Sequence, residues 1–231
     1  MFTFIQLQTD TIANAASNVV IEKIAPNTEI SVLGFILKGG FFLIPIAILL
    51  FYTFYVIIER YLYISKASKI DARLMQDVGD KLNAGNIDLA RTIVERSDTA
   101  AGNILKEGVL VIGRPIAEIE SNMDRAADIE IGEMERRLGH LGLIAGIAPT
   151  LGFIGTISVV IKIFYSMSVT ENISIGNISG GLYEKMISSG SGLIVGIIAY
   201  SAYHLLNGKI DDFALKIQKQ ILEFVNIIQR S

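Results

Sequence analysis

The sequence predicts an all-α membrane protein with three transmembrane helices, long cytoplasmic helical extensions and its N-terminus outside. Its 231 residues are 51% hydrophobic and only 19% charged, and a mean hydropathy of +0.50 is too apolar for an ordinary soluble domain. The apolar residues concentrate in Phe41 to Ile58, Leu141 to Ile161 and Met186 to Leu206, separated by charged sequence. Each run approaches the roughly 20 residues a helix needs to cross a bilayer, longer than a buried soluble helix requires. Basic residues fix the orientation, because they gather on cytoplasmic flanks. Arg60, Lys66, Lys69 and Arg73 follow the first run, Arg125, Arg136 and Arg137 precede the second, and Lys209, Lys216 and Lys219 follow the third. The stretch from Tyr165 to Gly181 has no basic residue, and Lys23 and Lys38 are the minor exceptions to the pattern.

The elements follow in order. Residues 1–38 are expected to form a periplasmic amphipathic segment. Met1 to Pro26 lacks a basic leading region and is broken by Thr9, Asp10, Asn14 and Asn18, so it is a poor signal peptide. It is expected to be retained as a short helix on the outer membrane boundary. The first span is placed at residues 39–60, where Pro45 sits near the outer end and Thr53 can bond back to its own helix, a lipid-facing character. A cytoplasmic helical domain occupies residues 61–138, broken at Gly85-Asn86 and Gly113-Arg114-Pro115. After Pro115, Ile116, Ile119, Met123, Ala127, Ile131, Met134 and Leu138 form one apolar stripe, predicting a continuous helix into the second span. Its other faces carry Glu118, Glu120, Asp124, Asp128, Glu130 and Glu133, either a solvated surface or an acidic funnel for cations.

The second span is placed at residues 139–165, a periplasmic loop at 166–181 and the third span at 182–206. A C-terminal amphipathic helix at 207–231 carries Ile210, Phe213, Ile217, Ile221, Phe224 and Ile228 on a face that needs a partner.

Several function classes are excluded. The net charge of −3 and pI near 5.5 show no basic surface for nucleic acid. Without cysteine there is no disulfide framework, thiolate metal site or cysteine nucleophile, and no cofactor is expected. There is no phosphate loop ending in Gly-Lys-Ser/Thr. Gly190-Ser191-Gly192 lies in an apolar span without a base, so no catalytic residue is assigned.

Polar and small residues inside the spans carry the functional information. Gly142, Gly146, Gly152, Gly155, Gly192 and Gly196 offer surfaces where helices approach closely. Thr156, Ser188 and Ser189 either bond their own backbone or line a hydrated, proton-accessible seam. Counting inward from the outer connection puts Lys162 level with Glu184, a possible outer-end ion pair. Thr156 then lies about 9 Å deeper than Lys162 and Ser189 about 7.5 Å deeper than Glu184, at one level. Glu184 is near the outside, His204 near the inside and His140 just ahead of the second span. The membrane centre thus has no titratable carrier, and a proton path needs a carboxylate from another chain.

The run Ala148-Pro149-Thr150-Leu151-Gly152-Phe153-Ile154-Gly155-Thr156 resembles the second-span signature of the ExbB/TolQ/MotA proton channel family. Lys38-Gly39-Gly40 with Pro45 and Ile58-Glu59-Arg60 resembles its first span, and Gly180-Gly181-Leu182-Tyr183-Glu184 with Ser188-Ser189 and Gly192-Leu193 its third. The similarity covers the chain from about Ser31 onward and is nearest to ExbB and TolQ. It implies a homopentameric ring in the bacterial inner membrane around a dimer of single-span partners of the ExbD/TolR/MotB type. The partner's membrane aspartate takes and releases protons, and the ring works on a TonB- or TolA-like envelope-spanning protein. By resemblance Thr156, Ser188, Ser189 and Glu184 belong to the proton pathway. Serines stand where the family has a threonine pair, Lys185 occupies a usually small position, and His204 replaces an asparagine. A flagellar or gliding stator and a non-conducting scaffold are the alternative readings.

Overall fold

The computed structural model describes residues 41–170 and 175–230; the segment expected at residues 1–38 lies outside the described residues. Among the described residues there are seven helices and no strand. They are α1 Leu43–Ala67, α2 Ala72–Asn83, α3 Ile87–Glu95, α4 Ala100–Leu110, α5 Ile116–Glu135, α6 Leu138–Thr170 and α7 Ile175–Arg230. Three stretches are long and apolar enough to cross a membrane, one on α1, one running into α6 and one on α7. The chain is therefore all-α with three spanning helices.

Local chemistry sets the bundle between the first two spans. Asp71 caps α2 by accepting the Arg73 N–H at 2.9 Å, and Thr99 caps α4 by accepting the Gly102 N–H at 3.1 Å. Gly85 and Gly113 turn the chain with φ of 72° and 95°, conformations that glycine adopts without a Cβ clash. Pro115 then precedes α5.

The apolar stripes meet one another. Ile119, Met123, Ala127 and Met134 of α5 are buried in one core with Ile210, Phe213, Ile217, Ile221 and Phe224 of α7. The partner needed by the C-terminal amphipathic face is thus this chain's own bundle. The core continues to Val56 and Ile64 of α1, so bundle and membrane segment form one packed unit. A second core, Ile46, Ile144, Ala148, Val195 and Ala199, joins all three spans at membrane depth.

The continuous helix predicted from Pro115 into the second span is interrupted. Between α5 and α6, Arg136 is extended at ψ 133° and Arg137 is left-handed at φ 67°. The stripe keeps its periodicity across this break, which is why periodicity alone missed it. The physical cause lies in α1. Arg60 is buried and donates from Nη1 to the Glu133 carbonyl at 3.0 Å, supplying a donor at the C-terminal end of α5. Its Nη2 also pairs with Glu59 Oε1 at 2.8 Å, and Arg137 reaches Glu59 Oε2 at 3.1 Å.

Arg60→Met should therefore destabilise the protein by about 1–3 kcal/mol, since it leaves the Glu133 carbonyl without this donor and Glu59 with Arg137 as its remaining cation. Arg60→Lys should recover little, because an ammonium cannot serve both acceptors as a planar fork does. Thermal unfolding in mild detergent measures both; equal midpoints for wild type and Arg60→Met would show that the break does not depend on this clamp.

Candidate proton-pathway seam

The seam lies between α6 and α7, antiparallel helices held at backbone distance. A Cβ on Gly192 would run into the Ala148 carbonyl oxygen. One on Gly152 would come within 2.8 Å of Ser189 Cα, and one on Gly196 within 2.6 Å of Pro149 Cγ. Further out, Gly181 faces Val159 and Ile163. Gly155 approaches Phe42 and Gly142 approaches Tyr203, at ordinary contact distances, whereas an added Cβ at Gly146 would meet nothing within 4 Å.

These approaches fix the register. Ser189 sits against Gly152, so Thr156 lies one helical turn, about 6 Å, farther along α6. The equal depth expected from counting is off by this turn, because the count began at loop ends while glycine contacts set the actual pairing. In the same register Lys185, which is buried, comes to the level of Thr156.

The hydroxyls differ in what they have left to give. Thr156 is half-buried and donates from Oγ1 to the Gly152 carbonyl at 3.0 Å. Thr150 and Ser191 also bond back to their own helices, as does Thr53 of α1, to Leu49 at 2.7 Å. Ser189 is half-buried and its hydroxyl makes no hydrogen bond among the described residues. Ser188 is fully buried and its Oγ has no hydrogen-bond partner. Lys162 is exposed; the Glu184 side chain, its expected partner, lies outside what is described.

At the bundle-side end, sequence reasoning left two contacts unnoticed. Tyr52 of α1 and His140 Nδ1 of α6 are 2.7 Å apart, and His204 packs edge-on against Tyr200 and Tyr203. Tyr52 gave no signal in sequence, since an aromatic residue in an apolar run reads as lipid-facing. Among the described residues, no cluster of His, Asp and Glu could hold a metal ion.

Three apolar helices, two of them joined through glycines with hydroxyls at their contact, define a multi-pass membrane protein. The description of the MotA/TolQ/ExbB proton channel family matches residues 96–219, and the chain belongs to that family. It is accordingly a multi-pass inner-membrane protein of a family of proton channels rather than enzymes. It is 30% identical over 183 residues to a putative biopolymer transport protein ExbB homolog of Methanothermobacter thermautotrophicus, covering 78% of this chain and 64% of that protein. It is 27% identical over 108 residues to the Tol-Pal system protein TolQ of Haemophilus influenzae, covering 47% of each chain. A putative biopolymer transport protein ExbB-like 3 of Synechocystis is 24% identical over 163 residues, 70% of this chain and 78% of its own length. The match thus spans less than two thirds of the first two relatives.

Proposed function

We propose that this chain is the ring-forming subunit of a proton-driven motor of the ExbB/TolQ type, assembled as a pentamer. The observation that carries this reading is the composition of the seam. Thr156 and Ser189 are hydroxyl-bearing, Ser188 is buried beside them, α6 has no aspartate or glutamate, and α7 has none from Met186 to Gly208, so the nearest carboxylate of this chain is Glu184, one residue outside the level that Lys185 shares with Thr156. Hydroxyls can hold water and proton-exchanging groups, but they do not themselves titrate near neutral pH. The carrier comes from a second chain, a single-span partner dimer of the ExbD/TolR/MotB type whose membrane aspartate enters the ring. With the N-terminus outside, the basic bundle flanks face the cytoplasm. Proton flow then drives movement of ring against partner and delivers work to a TonB- or TolA-like envelope-spanning protein.

Exposed apolar side chains on the spans support assembly. Phe153, Ile157, Ile161, Leu193 and Ile197 are left uncovered by α1 on the two helices that form the seam. In the ring, such faces turn to other copies or to the partner.

Native mass spectrometry of the chain with its partner from native membranes should give a five-to-two complex. In proteoliposomes, the complex should pass protons, and replacing the partner's membrane aspartate by asparagine should reduce the flux to background. Monomers with and without the partner would reject the ring. An assembled complex with no flux under a proton gradient would favour a non-conducting scaffold.

A further inference from the structure

The bundle-side edge of the first and third spans carries a polar groove that the motor reading does not use. It has a volume of about 270 Å³ and is lined by Ser65, Ser68, Lys209, Asp212, Phe213 and Lys216. We infer that this groove binds the headgroup of a phospholipid whose phosphate is followed by a hydrogen-bond donor, an ammonium or a hydroxyl.

Its position is the first argument. The groove lies where α1 leaves the membrane, above exposed Phe54, Ile58 and Leu62, and next to Tyr61. Those residues supply an apolar surface for acyl chains directly below a polar opening, with a tyrosine at the interfacial level it favours. Its chemistry is the second. Lys209 holds its ammonium 4.0 Å from the centre of the Tyr61 ring, a contact that fixes the long side chain at the rim. Among the described residues neither Lys209 nor Lys216 is in an ion pair, whereas Lys66, on the same stretch of α1, is paired with Asp98. Two unpaired ammonium groups and two half-buried serine hydroxyls are donors suited to phosphate oxygens. Asp212 is an acceptor beside the open C-terminal end of α1, so the groove also asks for a donor. Phosphatidylethanolamine and phosphatidylglycerol offer both functions. Phosphatidylcholine offers the phosphate but ends in a methylated cation that cannot donate.

The same chemistry could take free phosphate, and the experiment separates the two sources. The full chain in mild detergent is exposed to equal amounts of dioleoyl phosphatidylethanolamine, phosphatidylglycerol and phosphatidylcholine, and retained lipid is counted by native mass spectrometry. Retention of the first two over phosphatidylcholine is expected. Lys216→Gln should lower it about fivefold and Lys209→Gln with Lys216→Gln roughly 25-fold, taking one surface lysine as a constant factor. Lys219→Gln, the same charge change outside the groove, should leave retention unchanged. Millimolar inorganic phosphate should not displace the lipid, which is also held by its acyl chains. Because Lys209 packs on Tyr61, Lys216→Gln serves alone if the double variant unfolds. Equal retention of phosphatidylcholine, equal losses with Lys219→Gln, or displacement by inorganic phosphate would each overturn the assignment.

Discussion

Gly192→Val is expected to abolish the folded protein in detergent, as a loss of monodisperse material and of a cooperative thermal transition. The new Cβ has no room, because it meets the Ala148 carbonyl oxygen and lies 3.3 Å from its carbon and 3.4 Å from Gly152 Cα. All three are backbone atoms of α6, so no side-chain rotation relieves the clash and the two helices must separate. Overpacking that side chains can absorb costs about 1–3 kcal/mol, and backbone displacement along a seam exceeds that range. Helix separation also removes close packing that apolar lipid does not replace with a hydrophobic driving force. Valine has a better helix propensity than glycine, by a few tenths of a kcal/mol, far too little to compensate. Gly208→Ala is the control. It lies on the same helix with nothing within 4 Å of its new Cβ, so it should stabilise by up to about 1 kcal/mol. Similar melting for Gly192→Val and wild type would mean that α6 and α7 do not meet where Gly192 faces Ala148.

The difference between these two glycines could not be read from the sequence. Both sit in a helix, and spacing identifies Gly192 and Gly196 as a small surface without saying which carbonyl they approach. The spans, by contrast, were legible because length and hydropathy determine them with no knowledge of neighbours. The stripes on α5 and α7 were legible too, and their periodicity described two faces that turned out to be buried against each other. What periodicity could not supply was the end of α5. A left-handed Arg137 leaves the apolar stripe in phase, and the cause is Arg60, 73 residues away from the carbonyl it contacts. Long-range polar contacts of this kind have no local signature.

The site was legible as a set of residue types and less so as a geometry. Thr156 and the two serines stand out by the depth count and by their match to the family motifs rather than by scarcity, since Thr150, Ser158, Ser191 and Ser201 are hydroxyls of the same two spans. Their relative depth depends on helix pairing. Counting from loop ends assumes that both helices begin at the same level, whereas the contact of Gly152 with Ser189 moves Thr156 a turn away. Lys185, which sequence left without a place, falls at the level of Thr156 and is buried there.

Thr156→Val combined with Ser189→Ala is expected to assemble normally with the partner and to lose most proton-dependent work in cells carrying only the variant. On the proposed pathway, the two hydroxyls would suit different forms of an entering carboxyl. Thr156 already spends its proton on the Gly152 carbonyl, so its oxygen is left to accept a hydrogen bond, as a protonated carboxyl requires. Ser189 has an uncommitted hydroxyl that can donate to an ionised carboxylate or hold a bridging water. Valine keeps the shape of threonine but offers neither function. If Thr156 served only its own helix, losing that bond would change stability by about 1 kcal/mol or less and leave proton conduction intact. The two roles therefore separate by a pair of measurements, assembly by native mass spectrometry and proton flux in proteoliposomes. Intact assembly with flux near background is the expected result. Wild-type flux in the double variant would reject the pathway role and leave both hydroxyls as helix-packing groups, whether or not the ring itself is correct.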